Sequence, residues 1–296
     1  MGRYTLHDGL FEARSYIGVK FNVKERCNVK KVLCLVTVLA VMVFSPAVFA
    51  AEKPWMIERV LDKKELVLGT APGYFPFEMI DKGGNIVGYD VDIAKEMADA
   101  LGVKLSIQRY GFDGLIPALQ TGKVDIVMAG MTIMPKRALV VSFSNPYYST
   151  GQTLLVSKKN PDVKSWRDLD QPGKVIGVSL GTTGAMLAKQ VFEKAQVRDF
   201  DTFPDASLAA SSGRIDAVVY DEPGVRVYVA QHPDTTYGVY DLISVENLGI
   251  AVPKNDFASL QWINSFLHSF VGGLKHQTMI KKWFEDMSWI QEMEAK

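Results

Sequence analysis

The chain has 296 residues, of which 48% are hydrophobic, and this is enough to build one large domain or two ordinary ones, each with its own core. Its formal net charge is zero and no Lys/Arg-rich block follows residue 31, a composition that argues against a nucleic-acid partner. The only cysteines are Cys27 and Cys34, so thiol chemistry is confined to the N-terminal region.

The first 51 residues have the pattern of an export signal with an N-terminal extension. Two lysines precede an apolar run at 32–44, and a Pro break with small residues then leads to Ala50. This order is typical of a cleaved secretory signal peptide, so we expect cleavage after Ala50 or Ala51 and a periplasmic location. An uncleaved anchor is less favoured, because a membrane-spanning helix needs about 20 apolar residues. The sequence leaves open whether residues 1–29 are translated.

Loss of this leader limits what the exported protein can do. Seven Lys/Arg and three Asp/Glu leave with residues 1–50, and the remaining net charge is −4. Both cysteines leave too, so we expect no disulfide and no Cys-ligated metal. We also expect no cofactor, since the Gly/Thr loop at 181–184 is neither a phosphate-binding P-loop nor a dinucleotide fingerprint. The histidines are too scattered to suggest a metal site. They are His7, His232, His268 and His276.

The exported part alternates between strand and helix patterns. In the first half we predict a strand at 66–69, a Pro/Gly-rich loop, a helix ending at Gly102, a strand at 103–110, a short helix with Asp113 as its N-cap, and a buried strand at 124–130. In the second half we predict strands at 175–180 and 214–222 and helices at 183–195, 205–212, 224–233, 257–272 and 278–287. This alternation predicts an α/β fold with mostly parallel sheets flanked by helices.

One short device occurs twice. "GKVDIVMAGMT" at 122–132 and "GRIDAVVYDEP" at 213–223 each contain a Gly, a basic residue, a β-branched residue, an Asp and an apolar run. Each follows a short helix pattern, and each places small or polar groups at the end of a strand. Ligands of open α/β sheets gather beyond the carboxyl ends of strands. Two lobes facing one cleft would explain the repeat, although such units also recur by chance.

Three elements near these strand ends have the charges needed to bind an α-amino acid. Arg137, helped by Thr132, offers a donor fork that fits a carboxylate. Thr183 begins a helix at "GTTG", where unpaired N–H groups attract an anion. Asp221 would accept an ammonium group. Taken singly, each has an ordinary structural interpretation: a surface Arg, a helix N-cap and a solvated loop Asp.

The chain resembles the periplasmic solute-binding proteins of family 3, the polar amino-acid receptors of ABC importers. The similarity rests on "GTAPGYFPFEM", "GYDVDIAKEMADALG", "FDGLIPALQTGKVDIVMAGMTI", "FSNPYY", "GTTG", "GRIDAVVYDEP" and "IKKWF", and it covers about 65–287. It implies the two-lobed type II binding-protein fold with a two-stranded hinge. The implied boundaries are 52–146 plus 250–296 for lobe 1, 152–244 for lobe 2, and 147–151 with 245–249 for the hinge.

The resemblance also implies residue roles. Arg137, Thr132 and the Thr183 amide would hold the ligand carboxylate, while Asp221 and the Gly130 carbonyl would hold its ammonium group. It implies delivery to an ABC permease, and we expect a monomer.

Aromatic and pocket residues follow from the same resemblance. Tyr74 and Phe112 would sandwich the ligand, and Ala71, Ser179 and Tyr220 would line its side-chain pocket. Small uncharged residues at two of these positions argue against a charged ligand side chain and favour a neutral or larger apolar one. Besides Tyr220, the side chains of Glu78 and Glu222 are also candidates for reaching the pocket.

An enzyme is the alternative reading. Exported cyclohexadienyl dehydratases share the fold, and "LDQPG" at 169–173 is somewhat similar to them. Such an enzyme needs a proton donor aimed at the leaving hydroxyl. By our alignment the dehydratases have a Glu where this chain has Gly224, so we expect a binding protein, not an enzyme. A sensory domain feeding a kinase is a third class, for which the sequence shows no output module.

Overall fold

The computed structural model describes residues 54–293, which lie in one compact unit, Lys53–Lys296. The predicted signal peptide and its extension lie outside the described residues. Within 54–293, no helix is both long enough and apolar enough to cross a bilayer.

Helices flank the sheets, as the alternating pattern predicts. The α-helices are α1 Met56–Lys63, α2 Tyr89–Leu101, α3 Leu115–Gln120, α4 Pro135–Ala138, α5 Thr183–Val191, α6 Phe203–Ser211, α7 Glu222–Gln231, α8 Phe257–Phe270 and α9 Leu274–Ile280. Shorter 3₁₀ or π turns occupy Phe112–Gly114, Trp166–Leu169, Lys281–Glu285 and Met287–Glu292. Two predictions were wrong in detail. Asp113 makes no capping hydrogen bond, and the helix predicted at 278–287 changes to a π turn after Ile280.

The strands form two larger sheets and two small ribbons. They are β1 Glu65–Thr70, β2 Met79–Ile80, β3 Ile86–Val87, β4 Lys104–Arg109, β5 Ile126–Val127, β6 Val141–Phe143, β7 Tyr148–Thr150, β8 Gln152–Ser157, β9 Val175–Ser179, β10 Gln196–Phe200, β11 Ala217–Asp221, β12 Thr236–Val239, β13 Glu246–Leu248 and β14 Ala251–Pro253.

The two larger sheets share one topology. The first has the order β4-β1-β5-β14-β6 and the second the order β10-β9-β11-β8-β12. In each sheet, three parallel strands are followed by one antiparallel strand, β14 or β8. In the sequence, β14 directly follows β13 and β8 directly follows β7. The carboxyl ends of β5 and β11 therefore occupy equivalent positions in their sheets.

Two antiparallel strands connect the sheets. β7 pairs with β13, with Thr150 opposite Glu246 and Tyr148 opposite Leu248. These strands fall within the segments 147–151 and 245–249 that we predict as the hinge. The exact domain boundaries stay a prediction.

The repeated device has a structural basis in its aspartates. Asp125 accepts a hydrogen bond from the Val67 N–H at 3.0 Å, and Asp216 accepts one from the Val175 N–H at 2.8 Å. Each carboxylate thus ties the loop before β5 or β11 to the neighbouring strand, and each forms a salt bridge with a basic residue. The Asp in both copies fixes the strand that carries the site, while the residues after the strand differ.

Helix α2 is positioned by a glycine that no other residue can replace. Gly88 has φ 144°, and a Cβ there would lie 2.1 Å from the Phe77 carbonyl oxygen. This close approach lets the Asp90 N–H donate to the Phe77 carbonyl at 3.0 Å. The start of α2 is therefore packed directly against residues 77–78.

Candidate functional site

Arg137 connects the two halves of the molecule. Its side chain is buried, with one Nη donating to the Thr132 carbonyl at 3.0 Å and the other to the Gly181 carbonyl at 3.1 Å. The guanidinium lies 5.2 Å from the centre of the Phe112 ring, within cation–π range. Burial lowers the pKa of Arg137 to about 10, and the charges of Glu246 and Asp221 oppose that shift. The side chain is still a cation at neutral pH.

Glu246 on β13 joins two residues that the sequence places in different halves. Its Oε2 accepts a hydrogen bond from the Thr132 hydroxyl at 2.6 Å and another from the Thr183 hydroxyl at 2.7 Å. Oε1 accepts from the Ser244 hydroxyl at 3.0 Å. Sequence reasoning missed Glu246, because nothing near it in the chain distinguishes it from a solvated strand residue.

Asp221 is buried at the carboxyl end of β11. Its Oδ1 accepts a hydrogen bond from Gln152 Nε2 at 3.0 Å, and the same Nε2 lies 3.3 Å from the Thr183 hydroxyl. Burial, followed by the charge of Glu246, raises the pKa of Asp221 well above its usual value. Gln152 is a second site residue that the sequence did not reveal.

Gly130 holds a backbone conformation on which the site depends. Its φ is 54°, and its N–H donates to Asp90 Oδ2 at 2.9 Å. A Cβ at this position would lie 2.1 Å from Tyr74 Cε1, so the Tyr74 ring rests directly on the glycine. Tyr74 is itself buried, and its hydroxyl finds no hydrogen-bond partner in the described part of the chain.

A small cavity lies beside this network, between the two sheets. Its volume is about 50 Å³. Phe203 and Tyr220 form one wall, stacked with ring centres 3.9 Å apart, and Tyr74 meets the Tyr220 ring edge-on at 5.2 Å. The lining includes all five of the aromatic and pocket residues predicted from the sequence, and also Glu78. Those five are Ala71, Tyr74, Phe112, Ser179 and Tyr220.

Glu78 is fully buried, whereas Glu222 is not part of this cavity. Glu222 pairs with Arg226 on α7 and lines two other pockets, so this candidate from the sequence does not reach the site. Glu78 has no exposed surface, and neither of its carboxyl oxygens accepts an N–H or O–H from residues 54–293. Its pKa is raised well above the usual value by burial and by the Asp90 carboxyl.

The chemistry of the site is that of recognition. Within residues 54–293 no group of three or more His, Cys, Asp or Glu side chains is arranged to hold a metal. The arrangement instead offers a guanidinium from one half, a carboxylate from the other, and hydroxyls between them. These groups match a small dipolar molecule.

Comparison with known proteins agrees with this architecture. A protein from Wolinella succinogenes, described as a putative binding component of an ABC transporter complexed with lysine, has a TM-score of 0.74 and 38% identity, covering 77% of this chain and 99% of that one. The fold is the two-lobed type II fold of periplasmic binding proteins, as predicted from the sequence. The chain belongs to the bacterial extracellular solute-binding proteins, family 3, whose family model matches residues 66–286.

Two further relatives bear on function. The arginine-binding extracellular protein ArtP of Bacillus subtilis is 32% identical over 225 residues, 75% of this chain and 87% of ArtP. The ancestral amino acid-binding protein AncCDT-1, described as a precursor of cyclohexadienyl dehydratase, is 41% identical with a TM-score of 0.73, covering 77% of this chain and 99% of that one. These relatives are named as binding proteins. The prediction that this chain is not an enzyme is confirmed, and the dehydratase alternative finds no support.

Proposed function

We propose that this protein binds an α-amino acid between its two lobes by contacting both the α-carboxylate and the α-ammonium group of the ligand. Arg137, the Thr132 hydroxyl and the Thr183 amide bind the carboxylate, and Asp221 with the Gly130 carbonyl binds the ammonium group. The observation that carries the proposal is that Arg137 and Asp221 are both buried in one hydrogen-bond network across the lobe junction. Within residues 54–293 neither of them forms a salt bridge.

A buried charge needs a compensating charge, and a zwitterion supplies both at once. The Arg137 fork fits a carboxylate bidentately. Thr183 is the first residue of α5, so its N–H has no partner inside the helix. This N–H lies at the positive end of the helix dipole, which favours binding of the ligand carboxylate. Asp221 then accepts the ligand ammonium in place of the Gln152 amide.

The side-chain pocket favours a cationic group. Ala71 and Ser179 are small and uncharged, and from them we expected a neutral or apolar ligand side chain. Glu78 changes that expectation, because this residue lines the same cavity and its buried carboxyl accepts no hydrogen bond from residues 54–293. A guanidinium or ammonium group would satisfy it. ArtP is named as an arginine-binding protein and the Wolinella protein is described in complex with lysine, which supports a cationic ligand here.

The remaining pocket residues shape the space around that side chain. Tyr74 and Phe112 would flank the aliphatic stem from either side, and Tyr220 would close the end of the pocket. The cavity of about 50 Å³ is smaller than such a side chain, so the Tyr220 and Phe203 rings have to move when the ligand enters.

Transport is the wider role that we propose. The family is extracellular, so the protein is exported; cleavage of residues 1–51, a periplasmic location and a monomeric state complete the proposal. The closed, ligand-loaded protein would dock on an ABC permease and release its amino acid there.

Calorimetric titration of residues 52–296 with single amino acids tests the binding function. We expect micromolar or tighter affinity for arginine, lysine or both, corresponding to about 8 kcal/mol or more of binding free energy. D-arginine serves as the control, since inversion at the α-carbon misplaces either the carboxylate or the ammonium group. No binding by any L-amino acid would contradict the proposed function. Tight binding of apolar amino acids alone would contradict the cationic preference.

A further inference from the structure

Two fully buried carboxyls, Glu78 and Asp90, lie side by side beneath the cavity. Neither has any exposed surface. The Asp90 N–H donates to the carbonyl of Phe77, the residue before Glu78, so the two side chains leave adjacent points of the backbone. The charge of Asp90 raises the pKa of Glu78, with burial as the larger cause.

The hydrogen bonds around this pair are unequal. Asp90 Oδ2 accepts from the Gly130 N–H at 2.9 Å and from the Tyr147 hydroxyl at 2.8 Å. Its Oδ1 and both carboxyl oxygens of Glu78 accept no N–H or O–H donor from residues 54–293. Two ionised carboxylates contain only acceptors, so a hydrogen bond between them requires a proton on one. Burial raises the pKa of Asp90 to about 7, and its two donors oppose that shift. Above about pH 7 the charge therefore lies on Asp90, which has donors, and the proton on Glu78, which has none.

The other titratable groups facing Glu78 reinforce this state. Tyr74 comes from its own loop, Tyr147 from the segment before β7, and Tyr220 and Asp221 from β11. Burial raises the pKa of all three tyrosines, so they stay neutral. Asp221 adds a second acidic neighbour, and within 54–293 no salt bridge reaches Glu78.

We propose that Glu78 and Asp90 share one proton in the ligand-free protein, and that a ligand with a cationic side chain expels this proton whereas a neutral side chain leaves it in place. The inference rests on the proposed function, because it assumes that the ligand side chain enters the cavity lined by Glu78. On entry of a guanidinium, the Glu78 O–H breaks, its proton passes to the buffer, and the carboxylate pairs with the ligand cation. A neutral ligand instead accepts a hydrogen bond from the intact carboxyl.

The consequence is a receptor whose preference depends on pH. Release of one proton makes the affinity for a cationic side chain rise about tenfold per pH unit while Glu78 is protonated in the free protein. The affinity for a neutral molecule of the same shape does not rise with pH in this way. Asp221 is also a buried acid whose pKa is raised, but it meets the α-ammonium group of every amino acid, so any proton that it releases is common to all ligands.

A comparison of arginine with citrulline isolates Glu78, since citrulline has the shape of arginine without its charge. Both are titrated calorimetrically into residues 52–296 at about pH 8, above the pKa of Asp90, in two buffers of different ionisation enthalpy, which counts the protons released. We expect arginine to release about one proton more than citrulline. Glu78→Gln should abolish the difference. Glu222→Gln, which removes a carboxyl outside the cavity, should preserve it.

Equal proton release by arginine and citrulline would overturn the inference and leave the proposed function standing. Carbon-13 NMR of glutamate-labelled protein provides a test that needs no ligand and no variant. We expect one glutamate carboxyl of the wild-type protein to remain protonated at about pH 6, well above the ordinary range for Glu. If all glutamates titrate near about pH 4, the shared proton does not exist. If no amino acid binds, the proposed function fails and the NMR result alone decides the inference.

Discussion

Arg137 is the residue at which a single change tests the proposed grip on the ligand carboxylate. Arg137→Ala leaves the ligand carboxylate desolvated without its partner, and removing one member of a buried charge pair costs about 2–5 kcal/mol. We expect affinity to fall by at least about tenfold, as measured by calorimetry. The matched control is Lys136→Ala, which removes an exposed cation from the neighbouring position. Equal affinities for both variants and the wild type would contradict the role of Arg137.

Gly130 is a second residue at which a single substitution should affect the site. Alanine there would put a Cβ 2.1 Å from the Tyr74 ring and would hold a non-glycine residue at φ 54°. We expect Gly130→Ala to displace Tyr74 and to lower both thermal stability and ligand affinity, the backbone strain alone costing about 1 kcal/mol.

Gly122→Ala is the control for this variant. Its φ of 72° imposes similar strain, but no atom lies within 4 Å of the added Cβ. It should therefore lose stability while keeping its affinity. Equal affinity loss in both variants would show that backbone strain, and not the Tyr74 contact, is responsible.

Single residues were predictable from the sequence where a local signal marks them. Arg137 follows a Pro-marked turn and Asp221 ends a strand of the repeated device, and the structure brings both into one network. Gln152 and Glu246 have no such signal, because their contacts are made to residues 69 and 114 positions away. The sequence indicates Glu78 only as a candidate, because the lack of donors around its carboxyl depends on which distant residues pack against it.

At the scale of elements, strand β13 connects the binding site to the hinge. Glu246 accepts hydrogen bonds from Thr132 in one lobe and Thr183 in the other, at 2.6 and 2.7 Å. Hydrogen bonds to a charged group contribute about 1.5–3 kcal/mol each. We expect Glu246→Ala to weaken the closed arrangement, so that small-angle X-ray scattering of the ligand-free protein gives a larger radius of gyration.

Asn247→Ala is the control on the same strand. Asn247 is exposed, and within residues 54–293 its side chain accepts a hydrogen bond only from Ser149 on the paired strand β7, so both partners belong to the predicted hinge. We expect no change in scattering from this variant. If Glu246→Ala scatters like the wild type, Glu246 does not hold the lobes together.

Elements were predictable where sequence periodicity and glycines agree. Gly102 ends α2 with φ 65°, as its position after the periodic run indicates. The pattern failed in the C-terminal segment, where the chain leaves α9 for a π turn and buries Trp283. The Trp283 Nε1 donates to Asp92 on α2 at 2.9 Å, a long-range contact that local periodicity does not encode.

For the whole molecule, the doubled topology follows from the sequence while the closeness of the lobes does not. Both copies of the repeated device predict a strand ending at a cleft, and the two sheets have the same strand order. The separation of the cleft walls depends on contacts between them, such as the Tyr74 ring that meets the Tyr220 ring edge-on at 5.2 Å. Such packing is decided by contacts between distant residues.

The buried acids give a prediction about the stability of the whole protein. Burial raises the pKa of Asp90 to about 7 and that of Glu78 and Asp221 well above their usual values. At any pH between the pKa of an acid in the unfolded chain and its pKa in the folded protein, the folded protein binds more protons. The free energy of unfolding therefore falls as the pH rises, until the pH has passed the pKa of the folded protein. We therefore expect the ligand-free protein to lose stability as the pH rises above about 6.5, through Asp90 up to about pH 7 and through Glu78 and Asp221 beyond it.

Other groups act outside this window. Burial lowers the pKa of His232 and His276 below 6.5, so their contribution rises with pH but is complete by about pH 6.5. Hydrogen bonds lower the pKa of Asp81, Asp168 and Asp286 below 3.8, and their contribution changes only in acid. Denaturant unfolding at a series of pH values measures the slope. Glu78→Gln should flatten it because one buried acid is gone, and a wild-type stability that rises or stays constant above about pH 6.5 would show that these carboxyls fold in their ionised form.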